Sequence, residues 1–138
     1  MFIKYAWHWL GIPYGWGGQT WNQADCSGLI HELLQAVGIE KRGFDCTAHN
    51  LYVNFKANNQ IIEINDRQAG DLIFWFNNGK STHVGILIER DFVINAGGGG
   101  SKIKTIEDAI KHNAFVRIDP IEYNGDSYKI CDPFKDEQ

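Results

Sequence analysis

Three apolar runs in close succession constrain this chain most. Leu72-Ile73-Phe74-Trp75-Phe76, Val84-Gly85-Ile86-Leu87-Ile88 and Phe92-Val93-Ile94-Asn95-Ala96 are separated by turn-forming stretches, Asn77-Asn78-Gly79 and Glu89-Arg90-Asp91. Short apolar runs bounded by such signals read as buried strands. Connections this short join antiparallel neighbours, because a parallel pair needs a crossover of about a dozen residues. Before these runs the period changes. Leu29, Ile30, Leu33, Leu34 and Val37 recur at helical spacing, with Gly38 as a stop, which predicts a helix over 26–37. A short amphipathic helix over 2–10, ended by Gly11 and Pro13, precedes it. A third, over 46–56, carries Ala48, Leu51, Tyr52 and Phe55 on one side. Ile61 to Ile64 reads as a short strand. Ile103 and Val116 mark two later strands around a short helix near 106–112. Helices first and hairpins afterwards predict an α+β domain, with N-terminal helices packed on a central antiparallel sheet. A chain of 138 residues suits one such unit. Residues 1–122 read as that domain, and the polar, poorly periodic 123–138 as a C-terminal tail.

Charge and cysteine usage narrow the function classes. A net charge of −4 without a Lys/Arg cluster speaks against nucleic acid, whose phosphates call for a basic face. No apolar run approaches the roughly 18 residues of a membrane span. The first ten residues hold a lysine, a histidine and two tryptophans, with no apolar core before a small-residue cleavage site, so no signal peptide is read there. Cys26, Cys46 and Cys131 are odd in number and irregularly spaced, which fits a reducing compartment better than a disulfide framework. The absence of a Cys-x-x-Cys pair speaks against a zinc ribbon.

Asp25-Cys26-Ser27-Gly28 stands where the 26–37 helix begins, with Asp25 available as N-cap. Unpaired amide N–H groups and the positive helix end favour an anion in that first turn, so Cys26 is expected to ionise more easily than a free thiol and to act as a nucleophile. The adjacent Asp25 carboxylate opposes this, which suits it better to capping and substrate selection than to activation. Among five histidines, His83 opens a buried strand directly after Ser81 and Thr82, a rigid place from which a base reaches a cleft. Asn95, polar within an apolar strand, comes near the level of Val84 and His83 in a hairpin. Two readings of it stay open: orienting the imidazole, or capping the strand before the glycine run.

The chain resembles the NlpC/P60 family of cysteine peptidases, which cleave bacterial cell-wall peptides. The resemblance rests on Gly11-Ile12-Pro13-Tyr14-Gly15-Trp16-Gly17-Gly18, Asp25-Cys26-Ser27-Gly28-Leu29-Ile30, Gly70-Asp71-Leu72-Ile73-Phe74-Trp75, His83-Val84-Gly85-Ile86 and Ile94-Asn95-Ala96, in the family's order. It implies a papain-like fold with Cys26 as nucleophile, His83 as general base and Asn95 as the third, polar residue. It also implies Tyr14 in the cleft, polarising the scissile carbonyl, and Asp25 and Ser27 at the free amino end of a wall peptide. Arg42 falls where the family often has an arginine, but Lys41-Arg42-Gly43-Phe44-Asp45-Cys46 departs from the family's local pattern.

The implied chemistry is acyl transfer to water and needs no metal or other cofactor. The implied substrate is a peptidoglycan stem peptide, cut after D-glutamate. Trp16 and Trp21 lie in the glycine-rich loop and are expected to border the substrate groove, whereas Trp75 belongs to the core. Gly97 to Gly100 lacks the lysine of a phosphate loop and reads as a mobile cleft rim. Other readings stay open: an amidase or acyltransferase with the same apparatus, or a non-catalytic wall-binding domain. The expected setting is the cytoplasm, or delivery with a phage virion or at phage lysis, with the phage setting preferred.

Overall fold

A computed structural model describes residues 2–15, 25–41, 46–98 and 102–135. Three helices come first: α1 (Phe2–Trp7), α2 (Cys26–Ala36) and α3 (Ala48–Ala57). The strands β1 (Ile61–Ile62), β2 (Leu72–Asn77), β3 (Lys80–Glu89) and β4 (Phe92–Gly97) follow. The short helix α4 (Ile106–His112) precedes β5 (Phe115–Pro120) and β6 (Tyr128–Cys131). All six strands form one sheet in the order β1-β6-β2-β3-β4-β5, and every pairing is antiparallel. The expected α+β architecture is therefore present. Ile103, read as part of a strand, is instead a fully buried anchor in the segment before α4. Among the described residues no helix is long and apolar enough to cross a membrane.

Local chemistry explains the elements. Asp25 caps α2 by accepting a hydrogen bond from Gly28 N at 2.7 Å, and Thr47 caps α3 through Asn50 N at 3.2 Å. Such caps contribute about 1 kcal/mol each. Thr105 and Asp108 form a reciprocal capping box on α4. Asn78 and Gly79 both have positive φ, 52° and 79°, the two-residue turn whose twist suits a tight hairpin between β2 and β3.

The sheet is covered on both sides at its centre. Leu29, Ile30, Leu33 and Leu34 of α2 are fully buried, and α2 packs on β3 and β4 while α3 packs on β3. Leu72, Phe74, Val84, Ile86, Ile94 and Ala96 meet the helices. On the opposite face Ile73, Trp75, Leu87, Val93, Ile121 and Ile130 make a second, smaller core. That is why β2 reads as a near-continuous apolar run although its neighbours are antiparallel.

The C-terminal stretch differs from the expectation of a tail. β6 lies between β1 and β2, pairing Ile73 with Ile130 and Leu72 with Cys131. A single turn of 3-10 helix, Ile121–Asn124, closes over the second core, where Trp75 Nε1 donates to Ile121 O at 3.0 Å. The polar look of 123–135 arises because only Ile130, Cys131 and Pro133 are buried there, too few to show a period.

Candidate active site

Cys26 is the first residue of α2, directly after the capping Asp25. The residue is half-buried, and its sulfur lies within reach of the backbone N–H groups of Val84, Ser27 and Cys26 itself, each of which favours the thiolate. Burial and then the Asp25 charge act the other way and win, pushing the Cys26 thiol up to about 12. The resting site thus holds a neutral thiol, in contrast to the easily ionised one expected from helix position alone. A helix end offers only partial charges, and here they are outweighed by desolvation and a full negative charge one residue away.

The contact with Val84 N–H sets the sulfur against the strand residue that follows His83. β3 pairs with β2 through Trp75↔His83 and Phe74↔Val84, and the His83 ring stacks on Trp75 at 5.1 Å between centroids. Burial is the main influence on His83 and lowers its pKa. The bond to Asn95 raises it, Arg117 lowers it and Asp119 raises it. The net direction is downward, so the imidazole is neutral at neutral pH.

Asn95 is fully buried, and its Oδ1 lies 2.6 Å from His83 Nε2. The β3–β4 register, carried one step past Ile86↔Ile94, sets Asn95 opposite Gly85 instead of level with Val84 and His83. It reaches His83 diagonally on the same face of the sheet. The orienting reading of Asn95 is the one this contact supports.

Gly85 makes that approach possible. A Cβ there would lie 2.5 Å from Val93 Cγ2 and 3.0 Å from Asn95 Cβ. Gly85→Ala is expected to cost about 1–3 kcal/mol of stability, typical of overpacking, and to reduce turnover by displacing Asn95. Thermal denaturation and steady-state kinetics on one preparation check both; unchanged values for both would refute the packing argument.

Tyr14 is buried, and burial, then the nearby Cys26 and Asp25 charges, raise its pKa, so its hydroxyl stays protonated. The 11–14 segment is held along β5, with Gly11 N donating to Val116 O at 2.8 Å and Tyr14 N to Ala114 O at 2.9 Å. Ser27 is buried, its Oγ 3.5 Å from Asp25 Oδ1. Trp16, Trp21 and Arg42 lie outside the described residues.

The other histidines have different places. His31 is fully buried, with Nδ1 2.7 Å from Glu40 and Nε2 2.9 Å from Cys46 O, tying Glu40 and Cys46 to α2. His49 accepts from Ser81 N at 3.1 Å. His8 and His112 are exposed.

Three residues near His83 escaped the sequence reading: Tyr123, Arg117 and Asp119. The Tyr123 hydroxyl lies 2.9 Å from His83 Nε2 and donates to Asn95 Oδ1. Asn95 Nδ2 donates to Asp119 Oδ2 at 3.0 Å, and Arg117 Nε donates to the same oxygen at 2.8 Å. Arg117 and Asp119 alternate with Val116 and Ile118, so a period-2 reading of β5 beside Asn95 carries a signal for them. Tyr123 has no local signal.

A cysteine at the head of a helix, its sulfur against the strand that carries His83 in one antiparallel sheet, marks a papain-like α+β domain. The chain belongs to the NlpC/P60 family, whose model matches residues 11–119. Over 98 residues it is 36% identical to the probable endopeptidase p60 of Listeria grayi, covering 70% of this chain and 18% of that protein. It thus spans only about a fifth of that relative's length. Among solved structures, the NlpC/p60 domain of the peptidoglycan hydrolase SagA superposes with a TM-score of 0.67 at 22% identity, covering 94% of both chains. RipD of Mycobacterium tuberculosis, a non-catalytic NlpC/p60 domain protein adapted to peptidoglycan binding, superposes at 0.65 with 18% identity, covering 94% of this chain and 92% of that one. At these identities both structures speak for the fold alone.

Proposed function

We propose that this chain is a cysteine peptidase that hydrolyses peptidoglycan stem peptides after D-glutamate. The observation that carries the reading is the conjunction of Cys26 at the head of α2, its sulfur against the backbone beside His83, and a His83 whose Nε2 is engaged by Asn95. That engagement leaves Nδ1 as the nitrogen that takes the thiol proton. The naming of p60 as a probable endopeptidase and of SagA as a peptidoglycan hydrolase supports the substrate class.

The steps follow from neutral groups. His83 Nδ1 removes the Cys26 proton as sulfur adds to the scissile carbonyl. The Cys26 N–H, together with the Tyr14 hydroxyl, stabilises the oxyanion, and one such donor is generally worth about 3–4 kcal/mol in the transition state. The C–N bond breaks as the imidazolium returns its proton to the leaving amine, leaving a thioester. Water, deprotonated by His83, then releases the carboxylate and restores the thiol. Asp25 and Ser27 suit an ammonium at the free end of the substrate, although Asp25 also caps the helix.

Digestion of defined muropeptides with product masses tests the proposal. The expected product pair has a new carboxylate on D-glutamate and a new amine on the next residue. Cleavage elsewhere removes the bond assignment alone. Binding without cleavage replaces the peptidase with a wall-binding domain of the RipD kind.

The pH profile is a second check. The base must be neutral to act, and burial lowers the His83 pKa, so the acid limb of kcat/KM is expected below the ordinary histidine value of about 6.5. With the thiol up at about 12, no cysteine-linked limb intervenes in the neutral range. An acid midpoint above the ordinary histidine value contradicts the assignment.

A further inference from the structure

The hydrogen-bond pattern around His83 closes in only one way. Asp119 Oδ2 already accepts from Arg117 Nε, and a carboxylate oxygen can only accept, so the Asn95 atom 3.0 Å from it is the amide nitrogen. Asn95 Oδ1 therefore faces His83. Oδ1 cannot donate, and it sits 2.6 Å from Nε2, so the proton between them is on Nε2. Tyr123 has one hydroxyl proton and gives it to Oδ1, which turns an oxygen lone pair toward the Nε2–H at 2.9 Å. Every donor in the triangle has an acceptor, and the lone pair of the imidazole is left on Nδ1.

Tyr123 is itself firmly held. Its ring meets Trp75 edge-on at 5.6 Å and His83 edge-on at 6.2 Å, so the imidazole, Trp75 and Tyr123 form a mutually packed triangle of rings. The Arg117 guanidinium sits over the Tyr123 ring, 5.5 Å from its centroid, and also donates to Asn113 O at 2.9 Å. The glycines ending β4 make room for Arg117. A Cβ on Gly97 would lie 2.8 Å from Arg117 Nε, and one on Gly98 would lie 2.9 Å from its Nη1. Gly97 and Gly98 thus lie against Arg117, while Gly99 and Gly100 lie outside the described residues.

We propose that Tyr123, packed under Arg117, is a positioning residue whose hydroxyl holds the His83 ring and the Asn95 oxygen against each other, reinforcing the Nε2–H tautomer that Asn95 sets, so that Nδ1 is the basic nitrogen. The inference rests on the cysteine-peptidase reading for its kinetic consequence, but not for its spectroscopic one. In the Cys26→Ala protein labelled with ¹⁵N-histidine, no substrate is needed. The His83 nitrogen shifts are expected to report the Nε2–H form, and Tyr123→Phe to add a minor population of the other tautomer, because the Asn95 oxygen then loses one of its two donors. Asp119→Ala frees the Asn95 amide to turn its NH2 toward the ring, and is expected to move the shifts further toward Nδ1–H. In protein with Cys26 intact, Tyr123→Phe is expected to lower kcat about tenfold with KM little changed, the size of one lost hydrogen bond.

The outcomes separate cleanly. Wild-type protein that cleaves nothing removes the peptidase reading and leaves the tautomer result to stand or fall alone. Active wild type with a Tyr123→Phe variant of unchanged kcat and unchanged shifts overturns the positioning role. A Tyr123→Phe protein that loses melting temperature and activity together, with the His83 tautomer intact, overturns it too. Should Tyr123→Phe fail to fold, Asp119→Ala decides, and unchanged His83 shifts there count against the proposal.

Discussion

Cys26→Ala is expected to reduce peptide hydrolysis by at least about 10³-fold while leaving fold and substrate binding in place, because loss of a covalent nucleophile removes the main path to product. The substitution deletes one sulfur atom from a half-buried residue and leaves the helix cap intact, since Asp25 and Gly28 keep their 2.7 Å bond. Lost activity is then separable from lost structure. His83→Ala is expected to cost a similar factor, and the double variant little more, because residues acting as a unit are strongly non-additive. Steady-state rates on a defined muropeptide, with binding measured on the same preparation, check this. Residual activity within tenfold of wild type in Cys26→Ala would remove sulfur from the mechanism.

A chain ended after residue 122 is expected not to fold. The cut removes β6, an internal strand whose backbone pairs with both β1 and β2. It exposes Ile73 and Trp75 by taking away Ile130 and the partly buried Tyr123 and Tyr128 packed on that core. Loss of one large buried side chain alone costs several kcal/mol, about 3–5 for a Trp or Phe, against a total domain stability of about 5–15. Removing a whole strand exceeds that margin. Circular dichroism and a thermal melt decide the point: a cooperative transition within a few degrees of the full chain would mean that the sheet closes without β6.

The helices and the hairpins were readable because their signals are local. Alternation, helical spacing and turn residues such as Asn78-Gly79 act over a few positions, and the elements found at 26–36, 72–77 and 92–97 lie where those signals stand. The position of Cys26 at a helix start was readable for the same reason, through the capping aspartate. β6 was not, because its four residues carry too short a pattern to show a period. Ile103 misled because an isolated buried isoleucine looks the same in a strand and in a packed connection.

The protonation state of the candidate site belongs to the tertiary structure. A helix start by itself favours a thiolate, whereas burial and the Asp25 charge keep Cys26 as a thiol. The same holds for the surroundings of His83, where Asn95, Tyr123 and Asp119 converge from β4, a 3-10 turn and β5. The sequence by itself determined which stretches become helix and strand and which chemical groups are available, since those depend on neighbours along the chain. Only the packed structure decided which groups meet, which nitrogen of His83 keeps its proton and how costly a charge on sulfur is. Those depend on distance and on the exclusion of water, and neither is written in any short segment.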